Sequence, residues 1–597
     1  MNRRIATLIL AFGGMISSFL YAEGRQVIPF NEGWKFKKAP VQQELLVNMA
    51  AWEKGWKEVT LPHTWNNIDM QTTPNNFYQG PAYYQKTYDC PADLKGKRVY
   101  LRFEGVGACA WVYVNNTLAT THKGGYSAFA CEITDLLKPG AKNGIVVKAD
   151  NASRPDVIPV NHQLFGVYGG IYRPVSLIVT EDCHICLTDY ASPGVYITQK
   201  QVSKQSADVH IRVKLDNGTL YAVPLTLENK HHDEDLSFIM DIGATTVRFA
   251  HYQQSDYLYS RCDSLGLIIW AEIPFVNRVT GEEAENARNQ LRELIRQNLN
   301  HPSIYVWGLH NEVYQPHIYT RELTQSLHDL AKAEDPDRFT ASVNGYGHME
   351  HPVNLWADIQ GMNRYFGWYE KTLQDIEPWV EGLETNYPET KLMLTEYGAD
   401  ANIHHQSEYL GDALNWGKEF YPETFQTKTH EYHWSVIARH PYILASYLWN
   451  MFDFACPMWE RGGVACRNMK GLVTFDRKIK KDAYYWYKAN WSQEPVLYLT
   501  QRRNVDREKK VTSITVYSNI GTPRVFLNGK ELSGIQQGYT EVHYRIDPVT
   551  LADGENIVRA QVEKDGKVYE DEIRWMYTGE KRREADASYE KEEHAGF

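Results

Sequence analysis

Two glutamates sit where a barrel enzyme would keep its chemistry. Glu312 ends the run "IYVWGLHNE" (304–312), and Glu396 lies near the end of "KLMLTEYG" (391–398); each run is a short apolar strand pattern that stops in polar residues. In a (β/α)₈ barrel the C-terminal ends of the strands face the reaction. Two carboxylates on separate strands can share the work of cleaving a glycosidic bond. One, kept protonated, gives its proton to the leaving oxygen; the other, ionised, attacks the anomeric carbon. A separation of about 5–5.5 Å gives retention through a covalent intermediate. A single strand-end glutamate more often caps a helix or joins an ion pair. It is the pairing, with Asn311 beside one member and Tyr397 beside the other, that carries the expectation.

The elements that must position them follow from the period of the sequence. From 231 to about 487 strand and helix patterns alternate. "HDEDLSFIMDIG" reads as a helix, "TTVRFAHY" and "LIIWAEIP" as strands, "EEAENARNQLRELIRQNLN" as an amphipathic helix and "ILASYLWNMFDF" as the last strand. This alternation predicts a TIM barrel over 231–487, although only seven strands are clear. Residues 23–182 carry short alternating runs broken by Gly, Asn, Asp and Pro, the pattern of a β-sandwich. Residues 183–230 continue as strands too few for a complete sandwich. From 488 to 597 the chain is β again, with a hairpin signal at Asn528-Gly529 and a charged tail expected to be disordered.

Composition excludes some partners. The 597 residues carry a net charge of −11 and no basic block, which argues against nucleic acid. The first 22 residues, with Arg3-Arg4, an apolar run from Ile5 to Tyr21 and Ala22, have the form of a signal peptide, so a periplasmic or secreted protein is expected. No later run is long and apolar enough for stable membrane insertion once that segment is cleaved. Eight cysteines in so long a chain do not make a disulfide framework, and Cys183-His-Ile-Cys186 reads as half-buried strand thiols. The 17 Trp and 39 Tyr suit sugar stacking and plain core equally.

"VWGLHNE" and "LTEYG" resemble the acid/base and nucleophile motifs of glycoside hydrolase family 2, which contains β-galactosidases, β-glucuronidases and β-mannosidases. "LPHTWN" (61–66), "YGGIYRPV" (168–175), "VRFAHYQ" (247–253), "WAEIP" (270–274) and "LWNMFDF" (448–454) follow the same family order. The resemblance spans nearly the whole chain. It implies a jelly-roll sugar-binding domain (23–182), part of an immunoglobulin-like domain (183–230), the catalytic barrel and a trailing β-sandwich. It implies Glu312 as general acid/base and Glu396 as nucleophile. Asn311 would then reach the sugar 2-hydroxyl, Tyr365 would donate to Glu396, Arg248 and His251 would contact nucleophile and sugar, and Trp449 would form a stacking wall. Glu272 reads equally as an ion pair or a ligand contact. Asn468-Met-Lys470 resembles the N-x-K element that contacts the sugar carboxylate in β-glucuronidases, a charge suited to lysine. Its surroundings also resemble bacterial β-galactosidase relatives. A terminal β-galactoside is the expected substrate, a β-glucuronide the alternative; a homo-oligomer is left open.

Three departures from the family pattern matter. Phe275-Val-Asn-Arg278 stands where metal-dependent members carry I-E-T-H, so neither a catalytic metal nor a cofactor is expected. Leu164 stands where an aspartate usually reaches the sugar, with His162 and Asp156 as candidate replacements. "YAVPLTLENK" (221–230) runs straight into the first barrel helix, and roughly a hundred residues of the pattern, including the first barrel strand, are missing. Either 221–229 supplies that strand, or the barrel stays open with unpaired edges and impaired activity. The open barrel motivates a rival of another class, a carbohydrate-binding protein with a degenerate, inactive barrel.

Overall fold

A computed structural model describes residues 25–38, 55–72, 76–162, 166–200, 208–216, 230–313, 318–345 and 349–579. The expectations for the signal peptide, Leu164, the strand at 221–229 and the charged tail beyond 579 lie outside the described residues.

The centre of the molecule is a parallel sheet of seven strands in strict chain order: β1 (Thr246–Phe249), β2 (Ile268–Glu272), β3 (Ile304–Asn311), β4 (Phe339–Asn344), β5 (Ile359–Asn363), β6 (Leu392–Glu396) and β7 (Ile443–Ser446). Around it run helices α1 (Lys230–Asp241), α2 (Asp256–Leu265), α3 (Ala284–Asn298), α4 (Ile318–Glu334), α5 (Ile376–Asn386), α6 (Glu423–Arg439) and α7 (Asp482–Trp491). Their sequences explain the arrangement. β3 is buried at every position but Tyr305, as a strand covered on both faces must be. α3 turns Ala287, Leu291, Leu294 and Ile295 inward against Ile269, Trp307 and Leu309. α2 stops at Gly266, whose left-handed φ of 73° closes the helix by returning its N–H to the Cys262 carbonyl. Inside the sheet, Trp270, Val306, Ala341, Val343, Ile359 and Met393 form their own apolar layer.

The sheet does not close among the described residues. No backbone ladder joins β1 to β7 there; side chains cross the seam instead, with Thr246 Oγ1 and Tyr447 Oη 3.0 Å apart. A cavity of about 320 Å³ opens at the seam, lined by Leu236, Ile239, Val247, Leu258 and Leu448 among others. α1 covers it and is tied down by ions: Arg477 holds Asp235 at 2.8 and 3.0 Å, and Lys480, Lys488 and Tyr484 converge on Asp241. Among the described residues the strand deficit read in the sequence therefore stands at the β1–β7 seam.

One element departs from its sequence reading. The apolar run predicts a last barrel strand over 443–454, yet sheet pairing stops at Ser446. Tyr447 and Trp449 still donate to the Leu394 and Tyr397 carbonyls, but from Asn450 the backbone is claimed by another segment: Asn450 and Asp453 donate to the Lys470 and Val473 carbonyls, and Leu472 donates back to Asn450. The chain then turns through a hairpin, Phe454–Arg461 against Val464–Asn468, around Gly462-Gly463, both with positive φ.

The N-terminal region is two antiparallel sheets of four and six strands. Trp34, Leu101, Phe103, Ile145, Val147 and Leu177 are buried together in its core. Residues 184–200 and 208–216 form two two-stranded ribbons. The C-terminal region is a sandwich of four- and five-stranded sheets around Ile514, Val558 and Trp575, and Asn528-Gly529 makes its hairpin turn with both φ positive. Among the described residues no helix is long and apolar enough to cross a membrane.

Candidate active site

The C-terminal ends of β2, β3, β5 and β6 converge on a cavity of about 370 Å³. Glu312 and Glu396 both line it, with His251, Tyr365, Trp449, Asn468 and Lys470. Glu396 is 4% exposed and ends β6; Glu312 follows β3 in a left-handed conformation with φ of 50°. Its amide donates to the Val343 carbonyl at 2.8 Å, which fixes it over β4.

The two carboxylates have different neighbours. Glu396 Oε1 accepts from Arg248 Nη1 at 2.9 Å and Oε2 from the Tyr365 hydroxyl at 2.7 Å. Burial pushes its carboxyl above the ordinary value; Arg248, His251 and the Tyr365 hydroxyl pull it back, and Glu312 pushes it up again, leaving it raised. Arg248, itself buried, also donates to both oxygens of Glu272, at 2.9 and 3.0 Å, and to Asn311 Oδ1 at 2.8 Å. Burial raises the Glu272 carboxyl, but Arg248 and His251 more than offset it, so it stays below the ordinary value. Glu272 is therefore an ion-pair anchor: it holds Arg248 and, at 2.7 Å, His251 Nδ1. Glu312 is faced by two neutral amides. Asn363 Nδ2 donates to Oε1 at 2.9 Å, and Asn277 Nδ2 lies 3.5 Å from Oε2. Asn363 cannot turn its oxygen to Glu312, because that oxygen would also face Asn311 Oδ1, which Arg248 holds as an acceptor at 2.8 Å and to which Asn363 Nδ2 lies at 3.3 Å. Oε1 is held by the short Asn363 contact, whereas Asn277 lies at the limit of hydrogen-bond reach from Oε2, so the proton of a protonated Glu312 is placed on Oε2.

At another wall, Lys470 Nζ donates to Asp400 Oδ2 at 2.5 Å and to the Tyr369 hydroxyl at 2.8 Å. Asn468 Oδ1 accepts the Lys470 backbone N–H at 3.0 Å, which leaves its amide N–H groups for other partners. Trp449 stacks on His251, with ring centroids 5.1 Å apart. A buried, ion-paired carboxylate and a second carboxylate faced by amides are the differentiated pair that acid-assisted displacement at an acetal requires.

Residues 226–494 match the TIM barrel domain of glycosyl hydrolases family 2, and residues 46–181 match that family's sugar binding domain. A β-glucuronidase of Bacteroides fragilis is 32% identical, over 91% of this chain and 93% of its own length. The chain belongs to glycosyl hydrolase family 2. It is accordingly an exo-β-glycosidase. A solved Bacteroides fragilis structure, provisionally named a β-galactosidase, superposes with a TM-score of 0.89 at 60% identity, covering 94% of this chain and 100% of that one. The β-glucuronidase of Bacteroides uniformis superposes at 0.81, with 25% identity over 93% of this chain and 80% of its own.

Of the residues expected from the family pattern, the structure brings Glu312, Glu396, His251, Tyr365, Trp449, Asn468 and Lys470 to one cavity. Asn311 and Arg248 lie just behind its wall, buried and hydrogen-bonded to each other. The candidate replacements for the missing aspartate do not serve. His162 is 3% exposed, with Nδ1 at 3.1 Å from the Asn151 carbonyl, and burial lowers its imidazole to about 4. Asp156 is occupied by Lys123 and Arg154. Among the described residues, Asn161 and Tyr168 are what the N-terminal sandwich contributes to the cavity. Sequence reasoning missed Asn363, Asn277, Asp400 and Tyr369. Asn363 could have been found, since it ends a barrel strand as the glutamates do. Asp400 and Tyr369 lie in irregular segments with no periodic signal.

Proposed function

We propose that the protein is an exported, retaining exo-β-glycosidase whose substrate is a terminal β-glucuronide. Glu396 attacks the anomeric carbon while Glu312 gives its Oε2 proton to the leaving oxygen; Glu312 then takes a proton from water, which hydrolyses the glycosyl ester. Arg248 and the Tyr365 hydroxyl keep Glu396 ionised for the first step. The observation that favours a uronic acid is Lys470 beside Asn468, an ammonium and an amide donor at one wall of the cavity, suited to a sugar carboxylate. The β-glucuronidase relative, similar along nearly its whole length, supports the same reading. Export rests on the charged and apolar pattern of residues 1–22.

A second reading, a β-galactosidase, is favoured by Asp400. Its 2.5 Å pairing with Lys470 already compensates the ammonium, which suits a neutral sugar. A panel of nitrophenyl β-glucuronide, β-galactoside and β-mannoside separates the readings. The proposal expects kcat/KM on the glucuronide to exceed the others by about a hundredfold. The double variant Lys470→Gln/Asp400→Asn, which leaves no unpaired charge from that couple, should collapse the preference. A galactoside preference selects the second reading, and binding without cleavage of any selects the carbohydrate-binding rival.

A further inference from the structure

Asn277 holds its place at a cost, and its side-chain amide faces Glu312. It is 7% exposed, with a left-handed φ of 61°, a conformation asparagine tolerates better than most residues. Its backbone does the structural work. Asn277 N donates to the Asn311 carbonyl at 3.1 Å and Asn311 N to the Phe275 carbonyl at 2.9 Å, carrying the β2–β3 ladder one step past the end of the strands. The side chain takes no part in this. Its oxygen is buried without a hydrogen-bond partner among the described residues, which is unfavourable for a polar atom. Its nitrogen faces Glu312 Oε2 at 3.5 Å, a long contact of the kind that tightens once substrate is bound.

We propose that Asn277 is a positioning residue for the second half of the reaction: it donates to Glu312 Oε2 once that oxygen has lost its proton, and so orients the carboxylate that must deprotonate water. Asn363 holds Oε1 in both steps, and Asn277 completes the grip on the ionised form. Glu312 Oε2 gives its proton to the departing oxygen, and Asn277 donates to the bare oxygen. Water then returns a proton to Oε2 as its oxygen bonds the anomeric carbon and the Glu396 ester breaks. Glu396 and Tyr365 are also electrostatically coupled to Glu312, and both are common to the Asn277 variants compared below.

This inference rests on Glu312 being the acid/base, and the test separates the two. A dinitrophenyl glycoside of the cleaved sugar needs no protonation to depart, so its turnover reports deglycosylation. Asn277→Ala should lower kcat on it about tenfold, lower KM in parallel as glycosyl-enzyme accumulates, and leave the burst rate within about twofold. Azide, which attacks without a base, should restore that kcat. On an alkyl glycoside of the same sugar, whose departure needs the acid, the alkaline limb of kcat/KM should move to higher pH in Asn277→Ala and further in Asn277→Asp, where a like charge replaces the donor. A structural role would slow both steps together, leave the limb in place and gain nothing from azide; that result overturns the proposal. Glu312→Ala in the same assay checks the footing. Without azide rescue there, the acid/base reading fails; with it, an unaltered Asn277→Ala sinks the present inference alone.

Discussion

The middle and the margin of the seven-stranded sheet solve the same problem with different means. β3 and β6, which present Glu312 and Glu396, have ladders on both sides, so each glutamate is placed by paired backbone. Among the described residues β1 has one paired neighbour, and it is four residues long, as is β7. Yet β1 carries Arg248, which touches Glu272, Glu396 and Asn311. At the margin, position is held by charge: Arg248 is locked into two carboxylates, and α1 is clamped by Arg477 and the cations around Asp241. The contrast shows how the site is held where, among the described residues, the ladder between β1 and β7 is missing. The groups that react stand on fully laddered strands, and the group that supports them from the open edge is pinned by the site itself. Short edge strands also limit pairing with other chains.

The comparison can be broken at several points. Glu396→Gln should cost at least about 10⁴-fold in kcat with little change in melting temperature, because it removes the nucleophilic carboxylate from a strand laddered on both sides while Arg248 keeps its pairing with Glu272. Arg248→Met should damage both properties. Activity falls, and stability drops by about 3–5 kcal/mol in denaturant titrations, since two buried carboxylates lose their cation. A small stability loss would show that the margin is held by packing instead. Tyr365→Phe removes a donor from ionised Glu396, whose carboxyl burial already raises. The acid limb of the pH–rate profile reports that ionisation, so it should move to higher pH by roughly one unit, with little change above the optimum. Amide exchange gives the gentlest probe: β1 and β7 should exchange about tenfold or more ahead of β3, β4 and β5. Equal protection would mean that the seam is closed in solution.

Much of this is legible in the sequence, for physical reasons that differ by element. β3 and β6 are readable because a strand buried on both faces must be continuously apolar and must stop where polar residues begin. Helices α2 and α3 are readable from their 3.6-residue period, and α2 also from its terminal Gly266. The hairpin at 454–468 escapes such a reading, although Gly462-Gly463 is a turn signal, because the apolar run before it reads as one long strand. Arg248 stands out in the sequence, but its bond to Glu272 joins residues 24 apart on neighbouring strands, a register no local pattern encodes. The same holds for Asp400 and Lys470, 70 residues apart and buried against each other. Glutamates at strand ends advertise themselves; the groups that tune them are brought in by tertiary pairing.

The assignment of the two glutamates is tested most directly by trapping. A 2-deoxy-2-fluoro glycoside of the cleaved sugar slows the second step and lets the glycosyl-enzyme accumulate, so peptide mass spectrometry can locate the ester. The label should appear on the peptide carrying Glu396, and should still form in Glu312→Gln when the leaving group needs no acid. A label on Glu312, or no label together with an inverted product, would contradict Glu396 as nucleophile and Glu312 as acid/base.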